Sequence, residues 1–120
     1  MKKDSDTTIR EMRDLIRAFV HERGWEEYHT PKNLAESICV EAAELLELFQ
    51  WATSDEAESW KNEPYKLERV GEELADIIIY CLSLANTMRI EVAEAVRNKL
   101  ERNEIKYPAE KYRGKTPAKN

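Results

Sequence analysis

Two short acidic strings carry the chemistry of this 120-residue sequence: Glu41-Ala-Ala-Glu44 and Glu73-Leu-Ala-Asp76. Each sets two carboxylates three residues apart, the spacing that makes side chains neighbours on one helix face. Such pairs are common on solvated helices, so spacing alone decides little. Position on the helical wheel decides more. At about 100° per residue, Leu34, Ile38, Leu45 and Leu48 fall within roughly 60° of Glu41, and Val70, Ile77 and Leu84 within roughly 60° of Glu73. Glu41 and Glu73 therefore lie inside apolar stripes, with Glu44 and Asp76 at the borders. Packing the stripes together buries carboxylates beside one another, which is costly unless they are neutralised. Arg69, one turn before Glu73, can pair with one of them at most. A divalent cation is the simplest remedy. The donors are all oxygen, which favours Mg2+, with Mn2+ as a substitute, over Zn2+. A di-iron bundle would need a Glu-x-x-His motif, which neither His21 nor His29 supplies. Mg2+ held by carboxylates keeps open positions that meet phosphates, so the expected chemistry is attack of an activated water on phosphorus.

Other residues divide between a site and plain structure. Trp25 and Tyr28 either plug a connector onto the helices or stack on a planar base. Trp51 falls about 20° from Glu44 on the wheel, at the edge of the stripe, which favours a site over a core position. Tyr80 stands one turn from Asp76, where its hydroxyl can reach a carboxylate or a sugar oxygen. His29 is a capping residue or a phosphate or base contact. Lys32 and Asn33 open a helix, where backbone N–H groups favour anions. Lys99, Asn103 and Lys106 recur at near-helical spacing and either reach a triphosphate or are solvated. Glu47 is a further metal or water contact, or exposed.

The elements that must position these groups are helical. Charged residues make up 36% of the chain, apolar residues recur among them at helical intervals, and Gly 3 and Pro 4 are low counts. Four helices are predicted, at about 7–23, 31–52, 64–87 and 91–104. The first is capped by Asp6 or Thr7, carries Ile9, Met12, Ile16, Phe19 and Val20 as its stripe, and ends at Gly24. Thr30 caps the second, with Pro31 in its first turn. The polar stretch TSDEAESWKN is a loop with room for a helical turn. Pro64 opens the third helix, and Gly71 inside it marks a bend or a close helix contact. Cys39 and Cys81 are expected as small buried hydrophobes. The fold class is all-α, a four-helix bundle forming one domain over residues 1–108, followed by a basic tail over 109–120 that is flexible or lies on a neighbouring surface. One domain of this length buries a modest core, which association between copies would enlarge. A net charge of -5 argues against a nucleic-acid binder, and no apolar run suits a signal core or a membrane span, so a cytoplasmic protein is expected.

The strings GWEEYHTPKNLAESICVEAAELLELFQW, EELADIIIYCLSLA and KYP, together with the first helix, cover most of residues 9–108. They resemble the MazG-type all-α nucleotide pyrophosphohydrolases, and within them the dCTP pyrophosphatase branch. The resemblance implies a MazG-like bundle assembled as a homotetramer, a dimer of dimers whose sites draw on neighbouring subunits. It implies Mg2+-dependent hydrolysis of a nucleoside triphosphate, dCTP or a modified dCTP, to the monophosphate and pyrophosphate. Glu41, Glu44, Glu73 and Asp76 would hold the metal and be the catalytic set. Trp25, Glu26, Glu27, Tyr28 and His29 would line the nucleotide site, with Trp51 and Tyr80 touching base or sugar. Lys99 and Asn103 complete the candidate substrate contacts. One departure bears on the base: the first helix of the eukaryotic dCTP enzymes contributes a histidine where this chain has Ile16. The competing reading is a non-catalytic helical module that senses nucleotides or binds a partner.

Overall fold

The computed structural model describes residues 2–116, and every regular element among them is helical. Six α-helices form: α1 (Ile9–Glu22), α2 (Pro31–Phe49), α3 (Ser54–Ser59), α4 (Pro64–Met88), α5 (Val92–Lys106) and α6 (Ala109–Tyr112). The four predicted from periodicity are α1, α2, α4 and α5. The chain divides into two compact units, Met1–Arg89 and Ile90–Asn120. No helix among the described residues is long and apolar enough to cross a membrane.

Local signals set most boundaries. The cap of α1 is Thr8, one residue beyond the expected Asp6 or Thr7; its Oγ1 accepts the Glu11 N–H at 3.1 Å. At the other end the Gly24 N–H donates to His21 O and the Trp25 N–H to Val20 O, the paired closure of a helix whose next residue is left-handed. Gly24 supplies that conformation at φ +63° without steric cost. Thr30 caps α2 as expected, accepting the Asn33 N–H at 3.3 Å, and Pro31 and Pro64 occupy the first turns of α2 and α4. Two differences follow from local chemistry. Helix α2 stops at Phe49, short of Ala52, and TSDEAES holds a full helix because Thr53 Oγ1 accepts the Glu56 N–H at 3.1 Å, the first half of a capping box. Gly71 produces neither bend nor close contact: α4 runs through it unbroken, and a Cβ built there meets nothing within 4 Å. The start of the tail, expected without structure, forms the single helical turn of α6, with Tyr107 and Tyr112 edge to face at 5.3 Å. Residues 117–120 lie outside the described residues.

In the first unit α2 packs along α4, and α1 packs on α4. A polar clasp ties the second pair. Asn86 Oδ1 accepts from Arg13 Nε at 2.9 Å and an Arg17 guanidinium nitrogen at 3.1 Å, while its Nδ2 donates to the Arg13 carbonyl. Among the described residues Ile16, Val20, Leu34 and Ala85 form the buried core, joined by Ser83. Ile9, Met12 and Phe19 of the expected α1 stripe stay exposed. Cys39 and Cys81 are exposed as well, which corrects the expectation for both. Cys39 stands about 160° around α2 from Glu41, on the back of the helix, while α4 covers the front.

Candidate metal centre

The packing of α2 on α4 brings the two acidic strings together. Carboxylate oxygens of Glu41, Glu73 and Asp76 lie within 4.8 Å of one another, and all three residues are half-buried. Glu41 Oε2 and Glu73 Oε2 are shielded from water and have no hydrogen-bond partner. The crowding shows in their acidity. Burial pushes the Glu41 carboxyl above its ordinary 4.5, the neighbouring Glu44 carboxyl adds to this, and the charges of Asp76 and Glu73 add more. Glu73 is raised in the same way, first by burial and then by the charges of Glu44 and Asp76, with Arg69 opposing. Such a cluster must bind protons or cations. Three converging carboxylates with orphaned buried oxygens and no His or Cys donor fit a hard divalent ion. Glu44, absent from that tight trio, touches it from the next turn of α2.

Three cavities run along α4 from this cluster. The first, about 410 Å³, is lined by Glu44, Glu47, Leu48, Arg69 and Glu73. Arg69 is its cation, within 3.9 Å of Glu72 and close enough to Glu73 to pull that carboxyl's pKa down against the other effects. The second, about 290 Å³, gathers Trp25, Tyr28, His29, Asn33, Ser37 and Tyr80 with Leu34; the His29 and Tyr80 rings are 6.3 Å apart. The third, about 480 Å³, lies between α1 and α4 and shares His29 with the second. Arg69, Glu73, Asp76, Tyr80, Ser83 and Thr87 recur at steps of three and four, so one face of α4 serves all three spaces.

The remaining candidates scatter. Trp25 rests edge-on against Phe19 at 5.9 Å, and Arg23 lies over the Phe19 ring at 3.6 Å, so this tryptophan is part plug, part wall. Glu26 faces His21 Nδ1 at 3.3 Å, and Glu27 is exposed on the same turn. Lys32 is paired with Glu36 at 2.6 Å, and the Asn33 amide donates to the Tyr28 carbonyl, so neither side chain at the α2 start is held for an anion. Trp51 is 88% exposed just beyond α2 and lines none of the three cavities. Lys99, Asn103 and Lys106 stand on α5 in the second unit. Ser37, Ser83 and Asn86 were not singled out from sequence; the signal for each was a polar residue interrupting an apolar helix face.

A helical pair presenting Glu-x-x-Glu against Glu-x-x-Asp defines a class, and comparison with known proteins agrees. The MazG-like family model matches residues 36–116, and the chain belongs to the MazG-like family. It is 37% identical over 110 residues to dCTP pyrophosphatase 1 of Bos taurus, covering 92% of this chain and 65% of the relative. The Homo sapiens protein of that name is 38% identical over 104 residues, covering 87% and 61%. The chain thus spans less than two thirds of the length of the curated relatives it matches. A crystal structure of a pyrophosphatase from Archaeoglobus fulgidus superposes with a TM-score of 0.75 at 49% identity, covering 83% of this chain and 92% of that one.

Proposed function

We propose that this chain is a Mg2+-dependent nucleoside triphosphate pyrophosphohydrolase that converts a deoxynucleoside triphosphate, dCTP or a modified dCTP, to its monophosphate and pyrophosphate. The observation that carries the reading is the convergence of Glu41, Glu73 and Asp76 with two buried, unpartnered carboxylate oxygens. The relatives named for dCTP pyrophosphatase activity and the archaeal pyrophosphatase support it.

Glu41, Glu44, Glu73 and Asp76 would hold the cation. When bound, it lowers the proton affinity of water and offsets charge growing on the phosphoryl oxygens. The protein does the rest by position. Glu47, in the cavity beside Glu44, stands where it can orient the attacking water and accept its proton. Arg69, in the same cavity, faces the triphosphate and offsets the negative charge that four carboxylates would otherwise present to it. The bond broken lies between the α- and β-phosphates, and pyrophosphate leaves. Trp25, Tyr28, His29 and Tyr80, around the second cavity, line the path of the sugar and base. The assembly is a homotetramer, which gives the exposed Trp51 a neighbouring subunit to meet.

Incubation with each deoxynucleoside triphosphate and Mg2+ should release pyrophosphate, and EDTA should stop it. Glu41→Ala and Asp76→Ala should abolish turnover while far-ultraviolet circular dichroism stays helical. Orthophosphate as the direct product, or near-full activity in either variant, would defeat the reading. A protein that turns over no nucleotide yet is stabilised by one would be the sensing module instead.

A further inference from the structure

The largest of the three cavities holds no part of the carboxylate cluster. Its apolar wall is Ile16 and Val20 of α1, both buried. Most of its polar wall is already engaged. Asn86 and Arg17 bond each other, with Arg13; the Thr87 hydroxyl donates to the His29 carbonyl at 3.2 Å; His21 faces Glu26. Ser83 differs. It lines the same cavity, is only 4% exposed, and its Oγ has no hydrogen-bond partner. A buried hydroxyl left unpaired costs about 1–3 kcal/mol. Nor does it bond back to its own helix, the usual resort of a serine inside a helix.

The register of α4 says what could supply the partner. Ser83 is seven residues beyond Asp76, on the same face, roughly 10 Å along the axis. Tyr80 stands between them, and His29 joins this cavity to the one beneath it. A nucleotide with its phosphates at the carboxylates and its sugar beside Tyr80 and His29 would bring its base to Ser83.

We propose that Ser83 is a specificity-determining residue, whose hydroxyl, turned into the α1–α4 cavity about χ1, hydrogen-bonds the edge of the nucleobase while Ile16 and Val20 cover the base's face. This rests on the pyrophosphohydrolase reading and extends it to base selection. A serine hydroxyl both donates and accepts, so it serves an exocyclic amine or a ring keto group. A base lacking a group at that point leaves the hydroxyl unpaired again, which is how a buried polar group discriminates.

The test is Ser83→Ala in the full chain, read in two ways. Steady-state kinetics over the four canonical deoxynucleoside triphosphates with Mg2+ should show KM rising roughly five- to tenfold for the favoured base, kcat nearly unchanged, and the ranking of bases flattened. Melting temperature should hold or rise, because an unpaired buried hydroxyl has been removed. Separately, methyl resonances of Ile16 and Val20 should shift when the favoured nucleoside monophosphate is added without metal, and shift less in Ser83→Ala. Turnover with an unaltered base ranking and still methyls would overturn the role of Ser83 and leave the enzyme standing. Methyl shifts without turnover of any nucleotide would overturn the enzyme and leave the base site. Neither signal would overturn both.

Discussion

Glu41 folds into a place where it needs a proton or a cation, and this sets a pH dependence whose sign can be worked out. Its folded-state pKa, and that of Glu73, is raised above the ordinary 4.5. The folded state thus holds these protons more tightly than the unfolded state. The cluster's stabilising share is fully present below about pH 4.5 and is lost as pH rises through the raised values. In EDTA, Glu41→Gln, which cannot ionise, should be more stable than the native protein at neutral pH, and the gap should close toward pH 4.5. Added Mg2+ should reverse the order at neutral pH by stabilising the native protein more. Thermal melts across pH with and without Mg2+ check this; a Glu41→Gln effect independent of pH would mean that crowding is unimportant. Arg69 gives a prediction of opposite signs. Its charge opposes that of Glu73 but is exposed, so its removal is a small effect. Arg69→Ala should tighten Mg2+ binding by a factor of about two to five and raise KM for the triphosphate. Calorimetry and kinetics separate the two, and weaker Mg2+ binding would contradict the account. The acidic residues were legible in sequence because helical periodicity fixes which face they share. Ser83 was not, because its unpaired hydroxyl depends on what its neighbours already bond.

Helices α1, α2, α4 and α5 were legible because each has a long apolar period with proline, threonine or glycine at its ends. Helix α3 was less so: six residues carry too little periodicity, and only the Thr53–Glu56 capping pair marks it. The contact of α2 with α4 is the element-level feature on which the carboxylate cluster depends, and Leu34, 1% exposed, is the most enclosed side chain in the core. Leu34→Ala should cost about 2–5 kcal/mol by lost burial and a residual cavity, read as a lower denaturation midpoint. Because Leu34 also lines the cavity of Tyr80 and His29, nucleotide affinity should fall with it. Gly71 is the converse case. It sits in the interior of α4 with open space where a Cβ would go, so Gly71→Ala should stabilise the helix by up to about 1 kcal/mol. A loss of stability would show that something outside this chain approaches α4 at that point.

At the scale of the molecule, the first unit leaves apolar surface that one copy does not cover. The apolar surface of α2 extends beyond the side that α4 covers: Leu34, Ile38 and Leu45 flank Glu41, while Cys39, Val40, Ala43 and Leu46 stand on its other sides among Lys32, Glu36 and Glu47. In this chain Val40 is 55% and Leu46 68% exposed. The pattern recurs on α4, where Leu74 and Ile78 are exposed opposite the functional face and Ile79 is exposed on its flank. This is why Cys39 and Cys81 were misjudged: their apolar surroundings were read correctly, but an apolar helix side is not buried unless something packs on it, and both stand exposed. Contiguous exposed apolar surface of this kind marks an interface, and self-association in closed symmetry is the common solution. The expected outcome is a protein whose sedimentation mass is a multiple of 14.1 kDa. Leu46→Lys tests the assignment without touching the carboxylates, since it lies about 140° around α2 from Glu41. It should shift the mass toward smaller species and leave circular dichroism helical. If the site is completed by a second copy, turnover should fall in step with the mass and recover as protein concentration rises. A Leu46→Lys protein of unchanged mass and activity would place the interface on another face of α2 or α4.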